Sequence, residues 1–416
     1  MQYTITAPAK LNINISLPAS KSISNRALII YALSGGRMLP LNLSDCDDTN
    51  VIIEAMRYMP ETIDIKAAGT AMRFMTAYLS VMRGTHIITG TERMKHRPIG
   101  VLVDALRKLG AKIEYVEQEG YPPLRITGQA LTGGTVDIPG NVSSQYISAL
   151  LMIAPMLPHG LELRLTDDII SRPYTDLTLW MMREFGADAD WIAGDTISVK
   201  PQPYKSREYF IENDWSGASY WYEIVALSPD RDATVQLSGL MDGSKQGDSV
   251  VKYIFSLLGV KTIFKSKQDG SLQIVTLKKS GRCVPRMEYD FVNSPDLAQT
   301  VIVTCCMLGV RFHFRGLSTL KIKETDRIEA LKTELLKLGF VLQDKNGSEL
   351  IWDGTRVPVS PTLLPVIDTY EDHRMALAFA PVSMKQPVVI NDPQVISKSY
   401  PHFWDDLHNA GFTIEK

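Results

Sequence analysis

Cysteine, histidine and long apolar runs are scarce in this chain, and each scarcity removes a class of protein. The 416 residues include four cysteines, Cys46, Cys283, Cys305 and Cys306, which form no Cys-x-x-Cys pair, and seven histidines, which form no His-Glu-x-x-His run. Neither a structural metal site nor a disulfide framework is therefore expected. The longest apolar span, Ile147 to Leu157, is too short to cross a bilayer, and Met1 to Lys10 lacks a basic segment followed by an apolar one. Neither sign of charge prevails: 44 basic and 46 acidic residues leave a net charge of −2, so no broad nucleic-acid stripe is expected. The expectation is a soluble cytoplasmic monomer acting on small molecules, without nucleic acid or membrane as partner.

What is present is length, apolar content and repetition. A chain of this size that is 45% hydrophobic can bury a large core and favours at least two domains. Small-residue-rich apolar runs begin near Ser24, Gly69, Ser144, Ala218, Asp296 and His373. Between them lie amphipathic runs that close on Gly110, Gly186, Gly259, Gly339 and Gly411, glycine being a helix C-terminus signal. Alternating segments such as Ala111-Lys112-Ile113-Glu114-Tyr115 read as strands. Both series repeat at about 75 residues, which implies units of one buried helix, one amphipathic helix and several strands. Six buried helices predict six units, arranged as two domains of three. The first unit is short, because only Met59 to Ala68 separates its amphipathic helix, Asn50 to Tyr58, from the next buried one. One or two of its strands have no room.

Cations stand where helix electrostatics disfavours them. Lys21-Ser22-Ile23-Ser24-Asn25-Arg26, Lys323-Glu324-Thr325-Asp326-Arg327 and Asp372-His373-Arg374-Met375 each place one at or near the start of a helix-like run. A helix N-terminus is already the positive end of its dipole, so cations there call for an anion between. Serine and asparagine ahead of Arg26-Ala27-Leu28 are explained by capping alone, but Lys21 and Arg26 are not, and Ser22 with Arg26 at i,i+4 would share a face suited to phosphate. Gly69, opening the second buried helix, lets an anion approach free backbone N–H groups, although small residues there also serve packing. Arg97 precedes a helix that Pro98 would initiate. Ser143-Ser144-Gln145 and Ser171-Arg172-Pro173-Tyr174 offer hydroxyls, an amide and a phenol before helices; each is an ordinary cap alone, yet they recur at the same place in successive units. Asp296 at a helix start is a favourable dipole arrangement, and Glu324 between Lys323 and Arg327 is a carboxylate whose charge state its neighbours can tune.

Five runs in order, Ser20 to Arg26, Gly69 to Arg73, Arg97 to Gly100, Lys323 to Arg327 and Asp372 to Ala376, resemble those of the 5-enolpyruvylshikimate-3-phosphate synthase family across nearly the whole chain. The resemblance implies an α/β (α+β) fold of two domains, each built of three βαβαββ units. The first unit is truncated, the domains span 20–211 and 1–19 plus 212–416, and the active site lies in the cleft between them. It implies transfer of the enolpyruvyl group of phosphoenolpyruvate to the 5-hydroxyl of shikimate 3-phosphate, releasing phosphate, a step of chorismate and aromatic amino-acid biosynthesis and the target of glyphosate. By similarity, Lys21, Gly69, Arg97, Gln145 and Lys398 would hold the phosphate of phosphoenolpyruvate, and Arg327 and Arg374 its carboxylate. Shikimate 3-phosphate would fall to Ser22, Arg26, Ser143, Ser144, Gln145, Ser171, Tyr174, Asp296 and Lys323. Glu324, Asp296 and Lys21 would share the proton transfers, and no metal or organic cofactor is implied. The chain departs from the family pattern at Ala67, Phe74 and Thr319. The sister transferase acting on UDP-N-acetylglucosamine usually carries a loop cysteine that Thr91 to Arg97 lacks. A non-catalytic binder of phosphorylated metabolites would have no use for Glu324 and Asp296.

Overall fold

The structure, a computed structural model, describes residues 1–36, 39–265, 273–360 and 362–416. The chain folds into two compact units, Ala19–Ile211 and Met1–Pro18 with Glu212–Lys416, each around its own apolar core. Ala19 lies with the former rather than with the first strand.

The Ala19–Ile211 unit contains two four-stranded sheets of one design. In the first, strands Thr62–Asp64 and Gly84–Thr89 run parallel, Leu124–Gly128 pairs antiparallel with the second of these, and Lys112–Tyr115 forms the outer edge. The second sheet repeats this order with Gly134–Pro139, Leu161–Thr166, Thr196–Val199 and Ala189–Trp191. A buried helix joins each parallel pair, Gly69–Val81 in one and Ser144–Ile153 in the other. An amphipathic helix follows, Gly100–Lys108 or Arg172–Glu184, and the chain then returns through the two remaining strands. Helices Lys21–Leu33 and Asp47–Tyr58 have the same character, but among the described residues a parallel bridge between Leu41 and Phe210 is what accompanies them in place of a named sheet.

The other unit holds three such sheets. Helix Trp215–Leu227 is buried along almost its whole surface because Trp215, Trp221, Tyr222 and their neighbours point in every direction, so it packs as a core element rather than as a surface helix. Ala298–Leu308 and His373–Phe379 are the corresponding helices of the next two sheets. The N-terminal strands are divided: Asn12–Ser16 pairs parallel with Thr234–Ser238, while Gln2–Thr6 lies between Val388–Asn391 and Thr413–Glu415. The five glycines that close the amphipathic segments all take positive φ, from 84° at Gly186 to 100° at Gly110, the left-handed turn that a side chain would oppose.

Three local expectations are corrected. The first buried helix starts at Lys21, five residues before Arg26, because extended Ser20 accepts the Ile23 N–H at 3.4 Å and so caps the chain earlier. Pro98 lies outside its helix, which starts at Gly100 with Ile99 at the cap; Asp296 likewise occupies a 3-10 turn, Pro295–Leu297, ahead of Ala298.

Candidate active site

In the Ala19–Ile211 unit the expected residues gather at helix N-termini. Lys21 opens its helix and reaches Asp48 at 3.2 Å, an acid from the first turn of the next helix. Gly69 opens Gly69–Val81 so near to Arg97 that a Cβ would stand 2.5 Å from Nη1. Gln145 donates from Nε2 to the Thr70 hydroxyl at 3.1 Å, which links the N-termini of two buried helices. Ser143 caps Ser144–Ile153 by accepting the Gln145 N–H at 3.3 Å. Ser171, a non-glycine residue at φ 54°, turns the chain into Arg172–Glu184 at a cost in backbone strain.

Arg26 lies deeper than its motif suggests. It is 3% exposed and donates to Thr178 Oγ1 at 2.7 Å, the Ser22 carbonyl at 2.9 Å, Ser148 Oγ at 3.1 Å and the Tyr174 carbonyl at 3.4 Å. Burial draws its pKa down to about 10, with Tyr174 opposing. The i,i+4 pairing of Ser22 and Arg26 is real, but it runs to the Ser22 backbone oxygen rather than its hydroxyl. Phe74 supplies a ring 5.3 Å from the guanidinium, so this departure from the family pattern packs against a predicted binding residue.

In the Met1–Pro18/Glu212–Lys416 unit, segments distant in sequence converge on one ion cluster. Arg327, 1% exposed, is forked by Asp372, with Nε to Oδ2 at 2.7 Å and Nη2 to Oδ1 at 3.2 Å. It also meets Glu324 Oε2 at 2.8 Å and Asp296 Oδ1 at 3.4 Å. Arg374 closes the group through Asp296 Oδ2 at 2.9 Å and the Asp296 carbonyl at 3.0 Å. Lys323 stands 3.7 Å from Asp296. Burial alone would raise the Asp296 carboxyl, but Arg374, then Lys323 and Arg327, hold it well below the usual carboxylate range. Burial lowers Lys323, with Asp296 opposing, whereas the carboxylates around Arg327, Asp372 foremost, overcome its burial and raise it. The anions that the helix-start cations demand are therefore, in this unit, protein carboxylates.

Lys398 is anchored by donating to the Glu371 carbonyl at 2.8 Å. Glu371 and Tyr370 both take positive φ, 56° and 54°, immediately before Asp372. That strained bend is held because the Tyr370 hydroxyl donates to Glu334 Oε1 at 2.6 Å and Asp368 N–H to Glu334 Oε2 at 3.1 Å. The helix that begins with Arg327 thus also fixes the loop that delivers Arg374.

Sequence reasoning missed Asp48, Asp214, Ser216, Tyr220 and Asp248 as members of these clusters. Asp214 caps Trp215–Leu227 through the Gly217 N–H at 3.1 Å, and Tyr220 accepts from Arg374 at 3.4 Å. Asp48 and Asp214 are acids at helix starts, where the dipole already accounts for them, and the Arg374 partner Tyr220 sits 154 residues away. Among the described residues no group of three or more His, Cys, Asp or Glu side chains is arranged to hold a metal ion, and no helix is long and apolar enough to cross a membrane.

A helical, mixed-sheet protein with these two clusters of helix-start cations matches one family model, EPSP synthase (3-phosphoshikimate 1-carboxyvinyltransferase), over residues 59–407. A 3-phosphoshikimate 1-carboxyvinyltransferase from Bacteroides fragilis is 59% identical over 416 residues, covering 100% of this chain and 99% of the relative. Another, from Photobacterium profundum, is 34% identical over 433 residues, covering 97% of each. An EPSP synthase structure from Acinetobacter baumannii superposes with a TM-score of 0.76 over 100% of both chains at 20% identity, a likeness of fold. The chain belongs to the EPSP synthase family.

Proposed function

We propose that this chain transfers the enolpyruvyl group of phosphoenolpyruvate to the 5-hydroxyl of shikimate 3-phosphate and releases inorganic phosphate. The observation that carries the reading is the convergence of Asp296, Lys323, Glu324, Arg327 and Arg374 in one cluster, since the reaction needs cations for anionic substrates beside carboxyls that move protons. The full-length relationship to curated 3-phosphoshikimate 1-carboxyvinyltransferases supports it.

Arg327 and Arg374 grip the carboxylate of phosphoenolpyruvate as planar forks, while Lys21, Gly69, Arg97, Gln145 and Lys398 receive its phosphate. Ser22, Arg26, Ser143, Ser144, Gln145, Ser171, Tyr174, Asp296 and Lys323 receive shikimate 3-phosphate. Glu324 delivers a proton to the methylene carbon, and Asp296 takes the proton of the 5-hydroxyl as its oxygen bonds to the adjacent carbon. The resulting adduct loses a methyl proton and its C–O bond to phosphate, with Lys21 beside the departing anion. The fixed cations stabilise each change in charge without reorganising. Proton transfer and ion pairing supply this chemistry without a metal or organic cofactor. The protein acts as a cytoplasmic monomer.

Phosphate release from purified protein given phosphoenolpyruvate tests the reading, with shikimate 3-phosphate or UDP-N-acetylglucosamine as acceptor and Glu324→Gln as control. Turnover with shikimate 3-phosphate alone, lost in the variant, is expected. Tight binding of shikimate 3-phosphate without turnover on either acceptor would leave a binding protein instead.

A further inference from the structure

Four of the residues proposed to receive the phosphate of phosphoenolpyruvate, Lys21, Gly69, Arg97 and Gln145, belong to the Ala19–Ile211 unit, and Arg97 is carried differently from the rest. Lys21, Gly69 and Gln145 lie in the first turns of helices. Arg97 lies outside helix and strand, between the four-residue helix Glu92–Lys95 and the helix that starts at Gly100. Its N–H donates to the Met94 carbonyl at 3.0 Å, and the next residue, Pro98, is exposed and has no N–H to give. The carbonyl is the backbone group by which Pro98 can be fastened.

Two buried side chains fasten it. Tyr146, from helix Ser144–Ile153, donates its hydroxyl to the Pro98 carbonyl at 2.5 Å, and Arg73, from helix Gly69–Val81, donates Nη2 to the same oxygen at 2.9 Å. A carbonyl oxygen has two lone pairs, so these donors fill it. The Arg73 guanidinium stands 5.8 Å from the centre of the Tyr146 ring, and its Nη1 reaches the Gly69 carbonyl at 3.2 Å and Met94 Sδ at 3.6 Å. One guanidinium thus touches Met94 and Pro98, on either side of Arg97 in the chain, and also Gly69, against which the Arg97 guanidinium is packed. Gln145 Nε2 on Thr70 Oγ1, at 3.1 Å, ties the helix of Tyr146 to the helix of Gly69.

We propose that Tyr146 is a positioning residue for phosphoenolpyruvate: its hydroxyl, with Arg73, fixes the Pro98 carbonyl and so aims the Arg97 guanidinium at the substrate phosphate beside Gly69. The inference rests on the transferase reading above. A planar fork bonds a phosphate well only when the backbone that carries it is held, and here that backbone has no helix or strand to hold it. Tyr146 acts through Arg97 and does not touch the substrate. A hydroxyl that only stabilised the fold would behave like that of Tyr204, which is also buried and donates to the Met152 carbonyl of the same helix at 2.8 Å.

The test is steady-state kinetics of the wild type, Tyr146→Phe and Tyr204→Phe, with each substrate varied in turn. Tyr146→Phe keeps the ring, so kcat and the KM for shikimate 3-phosphate hold, while the KM for phosphoenolpyruvate rises by about three- to tenfold, the worth of one hydrogen bond. Tyr204→Phe lowers the midpoint of urea denaturation and leaves all three constants where they were. In an Arg97→Ala background there is no guanidinium to aim, so Tyr146→Phe costs nothing further in kcat/KM for phosphoenolpyruvate. If Tyr146→Phe fails to fold, Arg73→Lys decides: one ammonium lacks the fork that spans the Gly69 and Pro98 carbonyls, so the same split between constants is expected. An unchanged KM for phosphoenolpyruvate overturns the inference and leaves the transferase reading intact. So does a rise confined to shikimate 3-phosphate, an equal rise in Tyr204→Phe, or an undiminished cost in the Arg97→Ala background. Absence of wild-type turnover defeats both.

Discussion

The Cα of Gly69 and the guanidinium of Arg97 approach so closely that one added methyl group would overlap Nη1 at 2.5 Å and Cζ at 2.9 Å. What would have to yield is the far end of a flexible side chain, so Gly69→Ala should fold with little loss of stability while displacing Arg97. If Gly69 and Arg97 receive phosphoenolpyruvate as proposed, we expect a higher KM for it and a still larger rise in the inhibition constant of glyphosate, its mimic. Steady-state inhibition of both proteins checks this, and equal changes in the two constants would contradict the placement.

Arg327 and Asp372 present a buried pair, with Asp372 0% exposed and its carboxylate forked by the guanidinium. Removing the cation in Arg327→Ala leaves that charge uncompensated in the interior, which costs about 3–5 kcal/mol. The midpoint of urea denaturation should fall accordingly, alongside loss of turnover. Arg327→Lys keeps the charge but not the planar fork, so it should recover part of the stability and little of the binding.

Glu223 lies on the buried helix Trp215–Leu227, itself 0% exposed, and burial raises its carboxyl well above the usual range, only partly offset by Thr304. Near pH 4 the carboxyl holds its proton in both folded and unfolded chains and pH has no leverage. As pH rises past the unfolded value, the unfolded chain releases the proton while the folded chain keeps it, so this group makes stability fall with pH. Glu223→Gln removes the effect. The stability of the variant relative to wild type should therefore increase by up to about 1.4 kcal/mol per pH unit above about 4.5; a difference independent of pH from 4 to 8 would contradict a neutral buried Glu223.

The sequence made the architecture legible where local rules are strong. Glycine after an amphipathic run marks a left-handed turn for a steric reason, and Gly110, Gly186, Gly259, Gly339 and Gly411 all take positive φ. Lys323, Arg327 and Arg374 stood out because a helix dipole disfavours cations where they stand, and Glu324 because it lay between two of them, whereas the dipole already accounted for Asp296; the structure brings those five together. Helix starts were harder to read: Ser20, Ser22, Ser24 and Asn25 can each cap, and only the backbone geometry at Ser20 decides among them. Least legible were partners supplied by distant segments, such as Thr178 beneath Arg26, 152 residues away, and Asp48 opposite Lys21. A threonine within a helix and an acid in its first turn both have sufficient local reasons to be there, so nothing in their immediate sequence betrays a second task.

The divided N-terminal strands impose an order of events on synthesis. Asn12–Ser16 needs Thr234–Ser238, and Gln2–Thr6 needs Val388–Asn391 and Thr413–Glu415, so both strands wait for partners made long after them. The Ala19–Ile211 unit, complete in one stretch, can fold while they wait. The other unit cannot seal the sheet of Gln2–Thr6 until Thr413–Glu415 has been made, and during that interval two short strands remain open to the wrong partner.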